Sequence, residues 1–161
     1  WLRDAGFDLR TQKPDGGQFG FSDAHGRLRG HVDGVIVGGP DGFRYPALWE
    51  NKCLGAKSWR ELEAKGLAVA KPVYAAQIAL YQAHLQLHEH PALFTAINAD
   101  SMDIYVELVP FDGALAQRMT DRAVKVISAT EAGELLPRAF HDPTHFECRF
   151  CAWQDRCWRT Q

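Results

Sequence analysis

The chain has 161 residues, 46% hydrophobic and 24% charged, a balance that suits one folded domain with room for a small appended module and excludes a disordered tail. Lys and Arg number 18 against 20 Asp and Glu, a formal net charge of −2, so no overall field gathers a polyanion and any nucleic-acid contact has to be local. No apolar run approaches the roughly 20 residues that cross a bilayer, and the N-terminal WLRDAGFDLR has neither the apolar segment nor the cleavage site of a secretory signal, so a cytoplasmic protein with no membrane partner is expected.

Residues 1 to 15 are polar and broken by Gly6, Pro14 and Asp15. Residues 17 to 37 read as two extended pieces around the turn-prone DAHG, the second ending in Val35-Ile36-Val37. GGPDG over residues 38 to 42 is a turn signal, and Phe43 to Cys53 returns as a second arm, which predicts a hairpin. Ser58-x-x-Glu61 matches a capping box opening a short helix that ends near Gly66. Pro72 fits the first position of a longer helix that Pro91 stops, with Gln77 and Tyr81 four apart on one face. Strands are predicted over residues 92 to 99 and 104 to 109, then a helix over about 112 to 132, then a break from Pro137 to Pro143. The order predicts an α/β fold, a mixed central sheet flanked by helices over residues 1 to 140, with a cysteine-rich metal-binding module over residues 141 to 161 packed on that core.

Strand periodicity puts His31 and Asp33 on one face of the first arm and Glu50 and Lys52 on one face of the second. If the faces coincide, two carboxylates, an imidazole and an ammonium converge among apolar neighbours. Asp33 and Glu50 supply hard oxygen ligands for Mg²⁺ or Mn²⁺, with the backbone carbonyl of Asn51 as a third. Such an ion activates water and offsets charge on phosphorus oxygens. Lys52 orients or deprotonates the water or stabilises that charge, and His31 contacts phosphate or supports a ligand. Taken alone, Glu50 and Lys52 read as a solvated charge pair on one strand face.

GHVDG, then WENK, then Gln77-x-x-x-Tyr81 together resemble the PD-(D/E)XK nuclease superfamily, in particular its RecB-type exonuclease branch with phage and CRISPR-associated relatives. The resemblance covers about Gly17 to Cys157. It implies a restriction-endonuclease-like core lacking its N-terminal helix, with Asp33 and Glu50 as metal ligands, Lys52 as the catalytic lysine, and Gln77 and Tyr81 beside the DNA backbone. The implied reaction is metal-dependent phosphodiester hydrolysis that leaves a 5′-phosphate. The implied setting is a bacterial cell or phage-infected host, the substrate DNA that is single-stranded or at duplex ends. Exonuclease action in DNA processing or recombination is the expectation, a structure-specific endonuclease or a non-catalytic nucleic-acid-binding scaffold the alternatives, with a recombination or replication protein or further copies of the chain as partners. Tyr74, Tyr81, His84 and His88 form an aromatic stripe, of which only Tyr81 is assigned to the site; the others read as core.

Cysteines are uneven: Cys53 stands alone, and Cys148, Cys151 and Cys157 crowd the end. A C-x2-C pair followed by a third cysteine is a thiolate set for one ion. The spacing also looks like the C-terminal part of the iron–sulfur motif in these nucleases, in which a fourth cysteine near the N-terminus completes the set, so a [4Fe–4S] cluster and Zn²⁺ are the alternatives, with His145 or His141 completing a zinc site and Cys53 ranked below them as fourth ligand. Cys53 reads as a buried thiol on the strand face opposite Lys52.

Overall fold

A computed structural model describes residues 1–159. The chain forms two compact units, residues 1–123 and the residues from 124 onward. Among the described residues no helix is long and apolar enough to cross a membrane.

The first unit is built on a mixed five-stranded sheet. Its strands are β1 (Asp8–Arg10), β4 (Gly34–Gly38), β5 (Ala47–Leu54), β6 (Ala92–Asn98) and β7 (Ile104–Val109), hydrogen-bonded in the order β1-β4-β5-β6-β7. β4 and β5 are the antiparallel hairpin anticipated from GGPDG, with Gly34 opposite Trp49 and Ile36 opposite Ala47. β5 and β6 run parallel, Glu50 beside Phe94 and Lys52 beside Ala96, and β6 and β7 are antiparallel. Parallel neighbours need a crossover, supplied here by α1 (Ala56–Lys65), α2 (Leu67–Ala70) and α3 (Pro72–His84). A separate two-stranded ribbon, β2 (Gly20–Asp23) with β3 (Leu28–His31), lies between β1 and β4 in the chain. The α/β fold with a mixed central sheet flanked by helices is therefore as expected.

The helices carry their apolar residues at helical spacing. Trp59 and Leu62 of α1, and Ala75, Ile78, Ala79 and Gln82 of α3, are buried. Trp59, Leu62, Ala75 and Ile78 meet Leu48, Leu54, Phe94 and Ala96 of the sheet in one cluster. Phe94 is fully buried, and covering a side chain of that size stabilises by roughly 1.5–3 kcal/mol.

The helix starts differ in cause from what their sequences suggest. No side chain caps α1 from Gly55; the Ala56 N–H donates to Asp100 Oδ2 at 3.0 Å, from the turn between β6 and β7. Ser58 lies inside the helix, and Glu61 pairs instead with Lys65 at 3.0 Å and Lys71 at 3.6 Å. A long-range carboxylate thus replaces the capping box. α2 was not anticipated: its Leu67 N–H donates to Glu107 Oε2 at 2.9 Å, an oxygen that also accepts from the Tyr105 hydroxyl. Pro72 does open α3, which stops at His84, short of Pro91.

The boundary between units falls within α4 (Gly113–Ala132). Beyond it the second unit holds two short helices, α5 (Phe146–Arg149) and α6 (Gln154–Arg159). Arg138 organises this segment: its guanidinium donates to the Cys157 carbonyl at 2.9 and 3.2 Å and lies 4.4 Å from the Trp158 ring centroid. The expected cysteine metal module is corrected here. Among the described residues, no group of three or more His, Cys, Asp or Glu could hold a metal ion. Cys151 and Cys157 are exposed, Cys148 is half-buried, and all three are free thiols. They do open on one surface pocket of about 220 Å³, shared with Arg138, Phe140, Glu147 and Trp158, without converging on a common point.

Candidate functional site

β5 alternates Leu48, Glu50, Lys52 and Leu54 on one face and Trp49, Asn51 and Cys53 on the other. The first face is the one α1 and α3 cover, so the two charged residues lie between buried leucines. Glu50 is 1% exposed, and its Oε1 takes an ion pair from the Lys52 ammonium, whose side chain is 21% exposed. The same oxygen accepts from Gln77 Nε2 at 3.0 Å. Its other oxygen, Oε2, is buried without a protein partner. Burial pushes the Glu50 carboxyl above the ordinary range and the charge of Asp33 adds to this, while Lys52 opposes it.

Asp33 lies between β3 and β4 and is exposed; its Oδ2 accepts from the Asn51 backbone N–H at 2.8 Å, which ties the GHVDG segment to WENKC. The Asn51 side chain works on the opposite sheet face, where its Oδ1 accepts from Thr95 Oγ1 at 2.8 Å and Thr95 Oγ1 accepts from the Trp49 indole at 3.0 Å. His31 does not share a strand with Asp33, which lies outside the strands, or with Glu50 of β5. It ends β3 opposite Gly20, is exposed, and belongs to the two-stranded ribbon.

α3 supplies the remaining members. Gln77 Nε2 also donates to the Tyr81 hydroxyl oxygen at 2.9 Å, so Lys52, Glu50, Gln77 and Tyr81 form one continuous polar chain. The ribbon is fitted against this helix: a Cβ at Gly30 would overlap the Tyr81 ring, Phe21 meets Tyr81 edge-on at 6.0 Å, and Phe21 stacks on His84 at 4.0 Å. Tyr74, read from sequence as core, has a second role in this geometry: the Lys52 ammonium lies over its ring, 5.2 Å from the centroid. The signal was present in the spacing, since 74, 77 and 81 stand at i, i+3 and i+7 of one helix face. Lys65 and Lys71 are both engaged by Glu61. Cys53 is on the face opposite Lys52 as expected, but exposed rather than buried.

The expected cofactors are corrected by the same geometry. Among the described residues, no third acidic or imidazole side chain joins Asp33 and Glu50 in a group that could hold Mg²⁺ or Mn²⁺; one oxygen of Asp33 is held by a backbone N–H, and Glu50 Oε1 by Lys52 and Gln77. Cys148, Cys151 and Cys157 with His145 likewise form no group for a [4Fe–4S] cluster or Zn²⁺. His145 is engaged locally, its Nδ1 accepting from the Glu147 N–H at 3.3 Å and its ring stacked 3.8 Å from Phe140.

No family model matches the chain, and no curated protein matches it. A solved structure titled "Crystal structure of SSO0001" is similar, at 15% sequence identity and a TM-score of 0.53, the alignment covering 99% of this chain and 65% of that one. At that identity the likeness is one of fold alone.

Proposed function

We propose that the protein is a DNA nuclease that hydrolyses phosphodiester bonds at the surface where Asp33, Glu50, Lys52, Gln77 and Tyr81 meet. The observation that supports it is the unbroken chain from the Lys52 ammonium through Glu50 and Gln77 to the Tyr81 hydroxyl, with the Asp33 carboxylate held beside it by the Asn51 N–H. A buried carboxylate with a raised pKa, paired with a partly exposed ammonium, is more typical of a working site than of a surface ion pair. In this reading Lys52 offsets the charge that develops on the phosphoryl oxygens, and Glu50 holds the ammonium in place. Asp33, the exposed carboxylate, takes the proton from the attacking water. The water oxygen bonds to phosphorus as the P–O3′ bond breaks, and the departing oxygen is protonated from solvent, leaving a 5′-phosphate. Tyr81 and Gln77 contact the DNA backbone, with His31 on the ribbon as an outer phosphate contact. The net charge of −2 makes these local contacts, rather than a general field, the source of affinity. The cytoplasm of a bacterial cell or phage-infected host, with its recombination or replication proteins, supplies DNA ends and single strands as substrate.

Linear and circular DNA, single- and double-stranded, incubated with the protein in magnesium-containing and in EDTA-containing buffer test this reading. Cleavage of linear single strands or duplex ends in either buffer, abolished in Lys52→Ala, is expected. DNA left intact in both buffers, or cleavage undiminished in Lys52→Ala, would overturn it. Cutting of circular DNA would replace the exonuclease with an endonuclease.

A further inference from the structure

The Lys52 side chain is 21% exposed and is ion-paired with the Glu50 carboxylate, itself 1% exposed. An ammonium held only by that carboxylate would have to give up its one counter-charge in order to meet a phosphate oxygen. A second source of negative potential is present: the ammonium lies over the Tyr74 ring at 5.2 Å from its centroid, within the range in which the ring quadrupole attracts a cation. Tyr74 is half-buried, and its ring meets that of the fully buried Phe94 at 6.5 Å between centroids. Phe94 is the direct neighbour of Glu50 across the parallel ladder. Ring, carboxylate and ammonium are thus fixed by the same pair of strands and the one helix above them.

We infer that Tyr74 is a positioning residue for Lys52: its ring holds part of the ammonium charge, so that the ammonium can be shared between Glu50 and a substrate phosphate without losing all compensation. This rests on the nuclease reading for its purpose, but the contact is testable without it. Nothing in the role needs the phenol hydroxyl, which separates it from an acid–base role for the same residue.

The test uses the full chain with lysine labelled at Cε with ¹³C. Six lysines give six cross-peaks, and Lys52→Arg identifies the one from Lys52. The expected result is a Lys52 cross-peak moved upfield of the other five by the ring current, retained in Tyr74→Phe and lost in Tyr74→Leu. In the DNA assay Tyr74→Leu should slow turnover about tenfold, the size of a partly desolvated cation–π contact, with little change in KM, and Tyr74→Phe should rescue it. A wild-type Lys52 peak among the other five, or a Tyr74→Phe variant that matches Tyr74→Leu in both readouts, would overturn the inference. Should Tyr74→Leu fail to fold, the wild-type and Tyr74→Phe spectra carry the same decision. If the wild type cleaves no DNA while its Lys52 peak is shifted, the contact stands and the nuclease reading fails.

Discussion

Replacing Lys52 by Met removes the ammonium but keeps most of its aliphatic length, leaving Glu50 in its 1%-exposed position with one neutral donor, Gln77. Breaking a buried pair from one side typically costs about 3–5 kcal/mol, because the remaining charge is uncompensated. The lower end, about 3 kcal/mol, applies here, since Lys52 is partly exposed and water can enter where it was. The cost depends on pH, and its sign follows from the titration. Burial already raises the Glu50 carboxyl above its usual range and Lys52 is the main group opposing that, so its removal raises it further. A carboxyl raised on folding contributes stability that is complete below its unfolded value and is lost as pH climbs through its folded value. At the lower pH the variant therefore loses less than at the higher one. Towards pH 8 the penalty grows by up to about 1.4 kcal/mol per pH unit until it reaches the cost of the bare charge. Urea unfolding of wild type, Lys52→Met, Glu50→Gln and the double variant at pH 5 and pH 8 measures this, the double variant recovering most of the loss at pH 8. Equal destabilisation at both pH values, or a smaller one at pH 8, would refute the argument.

Other outcomes follow from separate parts of the fold. Gly30→Ala drives a methyl group into the Tyr81 ring and should cost about 1–3 kcal/mol in unfolding measurements while disturbing the aromatic NMR signals of Tyr81 and Phe21. Tyr105, pushed up to about 12 by burial and then by Glu107, should ionise well above the ordinary tyrosine range in an absorbance titration, and Glu107→Gln should bring it down. Cys53, Cys151 and Cys157 should react with a thiol reagent at the rates of exposed cysteines and Cys148 more slowly, as read by mass spectrometry of single-cysteine variants.

What the sequence disclosed and what it concealed divide along contact range. GGPDG between two extended arms was enough to pair β4 with β5, because a turn signal acts over a few residues. Gln77 and Tyr81 could be put on one face because helical spacing is local, and Glu50 with Lys52 because strand alternation is. The partner of the α1 start, Asp100, is 44 residues from the N–H it accepts, and the capping box at Ser58 offered a local answer that the tertiary one displaced. Glu107 under α2 was hidden for the same reason, 40 residues from Leu67. His31 was assigned to the strand of Asp33 on alternation alone, whereas the chain leaves the ribbon at His31 and enters the sheet at Gly34. The cysteine spacing suggested a shared ion, but spacing does not fix the direction of three side chains on two short helices and the turn between them. Tyr74 was legible in position and not in role: an aromatic on a helix face reads as core until the lysine beneath it is known.

Cleavage and binding measured separately on one substrate test the central claim most directly. Single-turnover cleavage of an end-labelled single-stranded oligonucleotide should fall by about 10²–10³-fold in Glu50→Gln, the usual loss for a key electrostatic or acid–base group. Binding of the same oligonucleotide, followed by fluorescence anisotropy, should change little, because Glu50 is buried and meets the DNA only through Lys52. Cleavage by Glu50→Gln at the wild-type rate would contradict the account.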